Sequence, residues 1–515
     1  MSESGTPPHT ALSPSPHRSA RARTSAEALR SSALRRWSFF GVVSLGLLMI
    51  GLDNSILYTA LPTLSEQLHA SSLQQLWIIN AYALMIAGLL LGTGTLGDRI
   101  GHRRMFVIGL WIFGLASLTA ALAPGAWELV AARAFLGIGA SIMMPATLAL
   151  IRLTFEDEIE RNTAIGIWGS IAVVGAAAGP TVGGFLLQHF WWGSVFLVNV
   201  PIVLLALVLT PFLAPPNVAN PDKHWDFLSS LYALITLAAL VLVIKTAASS
   251  HPHLTLIGGA LAVFLLGATL FTRRQSKLSD PLLTFDVFRS PIFTGGVIAA
   301  GGAMFGLSGL EMTTTQKLQL VDAHSPLEAG LIISVIALAA LPMSALGGAN
   351  LHRWGFLPII SGGFVLMAAG VSGAVWAGHH EHFAVYLACL FATGLGAGLV
   401  MSVSSTAIIG AAPASRSGMA AGVEEVSYEF GTLLSIAVTG SVVPLLFTSN
   451  ASEEVRQVGL DALHDPALRD SAAGAYTEAY LTTAAGLAVA MLVFAALTAW
   501  CFRTNPTSGG ANPAH

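Results

Sequence analysis

The chain is expected to be an all-α polytopic membrane protein, on three observations. Hydrophobic residues make up 54% of its 515 residues and charged residues only 10%, with a mean hydropathy of +0.71. A soluble domain carries about a quarter charged residues. The apolar residues gather into runs near the ~20 residues that cross a bilayer as a helix. Lysine and arginine collect on one side of the alternating path through those runs, as the positive-inside rule requires.

Fourteen spans are expected, near residues 38–58, 76–96, 105–123, 128–150, 162–187, 193–213, 228–248, 254–272, 293–315, 328–349, 357–376, 383–409, 420–447 and 480–502. Residues 1–36 are rich in Ser, Pro, Ala and Arg and lack apolar periodicity, so they read as a disordered, solvated tail. They are not a cleavable signal, because the run that follows is too long and no small-residue cleavage site closes it. With the N-terminus inside, the inner side receives six tail arginines together with Arg99, Arg103, Arg104, Arg152, Arg161, Lys223, Arg273, Arg274, Lys277, Arg289, Arg353, Arg416 and Arg503. That is nineteen of the 24 basic residues. Lys245, Lys317, Arg456 and Arg469 fall outside, and Arg133 lies within the fourth span. Both termini, including the tail 503–515, are therefore expected in the cytoplasm, with the acidic segment 448–478 as an external loop holding some helix. A net charge of -3 gives no case for nucleic acid. Cys389 and Cys501 both fall in spans, so no disulfide, zinc or redox motif is supported.

The turn between spans two and three reads Gly94-Thr-Leu-Gly-Asp98-Arg99-Ile-Gly101-His-Arg103-Arg104. It leaves no room for a domain. Asp98 can accept hydrogen bonds from helix-end amides and pair with the arginines, so the cluster can lock neighbouring helices at one membrane face. The pattern resembles the signature loop of the major facilitator superfamily. Span four holds Arg133-Ala-Phe-Leu-Gly137, similar to that family's Arg-x-x-x-Gly motif, with Leu136 where the family often has glutamine. Span five holds Gly175-Ala-Ala-Ala-Gly179-Pro180-Thr-Val-Gly183-Gly184. Small residues four apart let helix backbones approach, and proline permits a kink; the string resembles the family's antiporter motif. Leu52-Asp53…Ala60-Leu61-Pro62, Gln316-Lys-Leu-Gln319…Ser325-Pro326-Leu327-Glu328-Ala329-Gly330 and Phe196-Leu-Val-Asn199-Val-Pro201 resemble the fourteen-span drug/proton antiporter branch of QacA/SmvA-like multidrug exporters.

That resemblance covers nearly all the chain after residue 37. It implies the major facilitator fold: two pseudo-symmetric six-helix bundles plus two extra central helices. The bundles would be residues 37–213 and 293–502, with a linker at 214–292 carrying the two extra spans. A faint repeat agrees, since Gly348-Ala-Asn-Leu-His352-Arg353-Trp-Gly355 follows span ten as Gly94–Gly101 follows span two, with His352 in place of the acid.

Charged residues inside spans are costly and call for a reason. Asp53 lies beyond mid-membrane in span one, where a carboxyl can exchange a proton for a cation or form a structural pair with Arg133. Glu424, Glu425 and Glu429 share the cytoplasmic half of span thirteen. Glu425 and Glu429 are four apart on one face, and Glu424 shares a face with Tyr428. Glu429 is the deepest and the first choice for a wet cavity; Glu424 and Glu425 can instead support a gate. Glu311 in span nine is open between a site and a structural role, and Glu328 reads as a helix-start residue. Tyr58, Trp77, Tyr82 and Trp168 can offer aromatic faces to an organic cation, Trp77 equally an interfacial belt. His379, His380, Glu381 and His382 read as a solvated turn, so no metal is assigned.

The function implied is a proton-coupled antiporter exporting lipophilic organic cations, such as quaternary ammoniums, cationic dyes and biguanides, from a bacterial inner or plasma membrane. Its partners would be small cationic drugs, protons and membrane lipid, and it would act as a monomer without a cofactor. No Gly-x-x-x-x-Gly-Lys-[Ser/Thr] occurs, which argues against ATP drive. The alternatives are a dedicated exporter of one antibiotic or metabolite, and, from other classes, a polytopic membrane enzyme or a receptor.

Overall fold

The structure, a computed structural model, describes residues 16–221, 225–247, 253–278, 281–380, 382–412 and 417–503. The chain runs through α1 (Pro16–Gln67), α2 (Ser72–Ile100), α3 (His102–Ala121), α4 (Ala126–Thr154), α5 (Glu158–His189), α6 (Ser194–Leu197) and α7 (Asn199–Leu213). It continues through α8 (Phe227–Ala247), α9 (Leu254–Gln275), α10 (Pro291–Leu320), α11 (Pro326–Trp354), α12 (Phe356–His379) and α13 (Phe383–Ala411). Last come α14 (Ser417–Asn450), α15 (Glu453–Val458) and α16 (Arg469–Phe502). Among the described residues, thirteen helical segments are long and apolar enough to cross a membrane, α6 and α7 together making one of them. α5, 32 residues long, includes side chains outside the description.

One expectation about elements is corrected, and one span has a break within it. Residues 16–36 are helical and continue into the first span. Proline is tolerated in a helix's first turn, and from residue 17 to 40 no Gly or Pro interrupts a run rich in Ala, Arg and Leu, all good helix formers. Residues 1–15 and 504–515 lie outside the described residues. The sixth span is broken at Val198 into α6 and α7, because Pro201 has no N–H to offer the carbonyl four residues back.

Helix starts follow local chemistry. Ser71 with Gln74 and Ser325 with Glu328 form reciprocal capping boxes, so Glu328 is the helix-start residue expected of it. α2 passes to α3 through Gly101 alone (φ 98°) and α11 to α12 through Gly355 alone (φ 76°). Each glycine N–H closes its helix at 2.8 Å, onto Gly97 O and Leu351 O respectively. The faint repeat in the sequence is thus a repeat of backbone geometry that only glycine adopts without strain.

α1–α7 share one hydrophobic core, and α10–α13 with α16 share another. α14 joins both. Its Leu433, Ile436 and Ala437, with Met312 of α10, belong to the first core. α8 packs on α2 and α14, and α9 on α8. Gly88 and Gly92 of α2 make room for α8: a Cβ at Gly88 would stand 2.8 Å from Leu234, and one at Gly92 2.1 Å from the Ser230 hydroxyl. α9 leaves Leu254, Leu261, Leu265, Leu266 and Leu270 exposed, as a lipid-facing helix does.

Asp226 joins the two extra helices. It accepts from the Ser229 amide at 3.2 Å and from the Ser229 hydroxyl, capping α8. It also receives Arg274 of α9 through Nε at 3.2 and 3.1 Å and Nη2 at 2.9 Å. Burial pushes the Asp226 carboxyl up, but the Arg274 and Ser229 hydrogen bonds outweigh it and hold it below the ordinary carboxylate value.

Candidate functional site

Asp53 of α1 is buried and ion-paired to Arg133 of α4, with Nη1 to Oδ2 at 2.5 Å. Its other oxygen accepts from Asn199 Nδ2 of α7 at 2.8 Å, and the same amide reaches Ser117 Oγ of α3 at 3.3 Å. Arg133 Nε donates to Ile78 O of α2 at 3.1 Å. Its guanidinium lies 4.4 Å from the centroid of the Tyr82 ring. One face of the Tyr82 ring thus already receives the cation of the pair. Five helices therefore converge on one charge pair. Burial of a pair is tolerated better where further hydrogen bonds support it, and here Asn199 and Ile78 O supply two of them.

The second group of acids belongs to α10 and α14. Glu429 is 9% exposed, and its Oε2 has no hydrogen-bond partner among the described residues. It lies within electrostatic reach of Arg133 across the bundle contact. Tyr58 of α1 is buried beside Ser308 of α10, and Glu311 and Glu429 are its acidic neighbours. The structure thus brings Tyr58, Glu311 and Glu429 together beside the Asp53–Arg133 pair. Glu424 is held elsewhere, accepting from the Tyr428 hydroxyl at 3.2 Å; that hydroxyl also lies 3.3 Å from Met401 O of α13. Glu425 is half-buried between Glu424 and Glu429. Trp168 donates its indole N–H to Thr147 Oγ1 of α4 at 3.2 Å, and both it and Trp77 pack on the first core.

The antiporter string divides its work between two contacts. A Cβ at Gly175 would stand 2.9 Å from Leu48 O, one at Gly179 1.8 Å from Ser55 Oγ, and one at Gly183 3.1 Å from Ile56. These three press α5 onto α1. Gly184 and Pro180 face α11 instead: a Cβ at Gly184 would stand 2.4 Å from Leu327 Cα, and one at Gly330 2.1 Å from Pro180 O. Beside them Thr181 and Ser334 hydroxyls meet at 2.7 Å across the bundles. Gln319 of α10 donates to Thr59 O of α1 at 2.8 Å. All these inter-bundle contacts lie in the half of the molecule away from the termini, hereafter the far half.

At the termini face, Asp98 Oδ1 meets His102 at 3.0 Å. Arg103 turns to the carbonyls of Pro211 and Pro215, at 3.3 and 3.5 Å. Asn217 Nδ2 donates to Ile100 O at 2.9 Å while its Oδ1 accepts from Arg104 N at 3.2 Å, so one side chain seals the end of α2 and the start of α3. Asn220 N adds a bond to Asp98 O at 2.9 Å. Arg99 ends α2, and Gly94 faces Pro145 of α4, where a Cβ would find ordinary contact at 3.8 Å.

Residues 43–319 match the family model described as Major Facilitator Superfamily. The chain belongs to the major facilitator superfamily. It is 37% identical over 429 residues to the methyl viologen resistance protein SmvA of Salmonella typhimurium, covering 83% of this chain and 86% of that one. It is 36% identical over 495 residues to the multidrug efflux pump LfrA of Mycolicibacterium smegmatis, covering 91% and 97%. A bacterial homologue of the lysosomal transporter Spinster, solved in an inward-facing, unoccupied conformation, shares the fold with a TM-score of 0.66 at 17% identity, over 93% of this chain and 99% of that one. As a major facilitator the protein is a multi-pass membrane transporter rather than an enzyme, and its relatives place it among drug-efflux proteins.

Asn199, His102 and Asn217 were not singled out from sequence. Asn199 carried a signal, being an amide within an apolar span two residues before a proline. Asn217 sits in an ordinary polar linker and carried none.

Proposed function

We propose that the protein is a proton-coupled antiporter that exports lipophilic organic cations. One observation carries the reading. Carboxylates from both bundles, buried Asp53 on one side and buried Glu429 with half-buried Glu311 on the other, gather where the bundles touch, and Glu429 keeps an oxygen unpartnered among the described residues. A carboxylate in such a place exchanges a proton for a cation at little structural cost. The names of SmvA and LfrA support a methyl viologen or multidrug substrate class.

In this reading α5 is the fourteenth span and both termini are cytoplasmic, in a bacterial inner membrane. A cation arrives from the cytoplasm or inner leaflet and meets ionised Glu429, with Tyr58 beside it. The bundles rock, the far half opens, and protonation from outside releases the cation. The far-half contacts mark the closed gate of a cytoplasm-facing state. A protein similar to this one is named a tetracenomycin C resistance and export protein, 33% identical over 423 residues, which favours a dedicated exporter as the second reading. Reconstitution in liposomes with an imposed pH gradient, following an organic cation and internal pH together, tests the proposal. Coupled movement of structurally unrelated cations is expected. Cation flux without proton flux rejects coupling, and transport of a single compound returns the protein to the dedicated class.

A further inference from the structure

Arg133 is buried completely and serves Asp53, Ile78 O and the Tyr82 ring, yet its Nη2 has no hydrogen-bond partner among the described residues. Across the bundle contact Glu429 lies within its electrostatic reach, also buried and also with an unpartnered oxygen. An orphaned guanidinium nitrogen and an orphaned carboxylate oxygen are each costly in a dry interior. Two such groups of opposite charge, on elements that move relative to one another when bundles rock, define a second pairing not made in this conformation. We infer that Arg133 is a shared counter-ion, handed from Asp53 in its own bundle to Glu429 in the other.

The exchange follows from what faces each group. Arg133 sees Asp53 from α1, Tyr82 from α2, Asn199 through Asp53 from α7, and Glu429 from α14. Glu429 sees Arg133, Tyr58, Tyr82 and Glu425, with Glu311 beyond Tyr58. Arg133 is the one cation in this set. Its Nη1 is committed to Asp53 while Nη2 is not, so its planar fork can lean toward either carboxylate as their charges change. When a proton occupies Asp53, Arg133 is released toward Glu429. When a proton or a drug cation satisfies Glu429, Arg133 returns to Asp53. One charge in the N-terminal bundle thereby reports the occupancy of an acid in the other.

This deepens the proton-coupled reading and rests on it, yet its test needs neither gradient nor substrate. The protonated-carboxyl infrared band of Glu429, assigned by its loss in Glu429→Gln, is titrated in purified protein. The comparison is Asp53→Asn against Asp53→Asn with Arg133→Gln, a double change that removes both members of the buried ion pair and so spares the protein an unpaired Arg133. If Arg133 turns to Glu429 once Asp53 is neutral, Glu429 ionises about one to three pH units lower in the single variant than in the double. A difference under about half a unit overturns the inference. A difference as expected combined with uncoupled flux in liposomes retains the shared arginine and removes only the antiport reading.

Discussion

Asp53 is bonded at both oxygens, so replacing its charge while keeping its shape separates titration from packing. Asp53→Asn should insert and fold, because Asn199 and Arg133 still find a polar group of the same size, but lose most proton-coupled cation transport. Efflux and membrane-fraction yield measured together check this, and full coupled efflux in the variant removes Asp53 from the mechanism. The acids of α14 invite a graded comparison. A charge pair at about 4 Å and an effective dielectric of 20 is worth roughly 4 kcal/mol before desolvation, so a dication gains from a second carboxylate that a monocation does not use. Glu429→Gln should reduce transport of dicationic compounds about tenfold more than of matched monocations, with Glu424→Gln, already engaged by Tyr428, showing the smaller effect. Equal losses for both substrate classes reject a divalent site. At this scale the acids were legible, because a carboxyl in an apolar run stands out against its neighbours. Their partners were not. Nothing in the spacing of Tyr82, Asn199 and Arg133 along the chain says that three separate helices bring them to one point, and so the contact of Arg133 with the Tyr82 ring could not be read there.

Among the elements, α5 shows how one motif serves two contacts. Gly179→Leu should impair the transport cycle more severely than Gly179→Ala, since even one added carbon meets the Ser55 hydroxyl. A transport rate unchanged in both would mean that α1 and α5 have more freedom than their packing suggests. At the termini face, Asp98→Ala should slow turnover more than it weakens substrate affinity, because the α2–α3 turn lies away from Tyr58 and Glu429. The α8–α9 pair offers a pH dependence. Asp226 is held below its ordinary value, so its ion pair with Arg274 stabilises the fold fully above the unfolded value and is lost as pH falls through the folded one. Arg274→Gln should therefore cost about 1 kcal/mol at pH 7, the upper range for a partly exposed pair. The gap in thermal melting between variant and wild type should close below about pH 4. A gap that persists there assigns Arg274 a packing role. The spans themselves were legible from length and apolarity. The helical character of 16–36 was not, because low hydropathy was taken for absence of structure although its residues favour helix.

For the molecule as a whole, the two-bundle plan was legible through a repeat of glycines, and the alternation of basic loops traced the chain's path. The position of α8 across α2 and α14 was not, since an apolar helix carries no mark of which neighbour it chooses. The far-half closure yields the last expectation. Gln319→Ala with Ser334→Ala removes two inter-bundle hydrogen bonds, each worth about 1 kcal/mol, and should shift the balance between conformations roughly thirtyfold toward an opened far half. Cysteines placed at Leu76 and Gly440, in a background lacking Cys389 and Cys501, should then cross-link less readily than with the bonds intact. Unchanged cross-linking would show that glycine packing alone keeps this half closed.

The segment between α14 and α16 bears on how such motion is transmitted. Val455, Ala462 and Leu463 form a small core of their own with Val443 and Phe447 of α14 and with Ala472 and Tyr476 of α16, and Arg456 bonds Thr448 O and Ala451 O at 3.1 Å each. A slack connection would let the two helices slide independently. This one ties the facing ends of α14 and α16 through a shared core, so movement of one end is passed to the other, and amide hydrogens of the buried Ala462 and Leu463 should exchange with solvent more slowly than those of the exposed residues beside them.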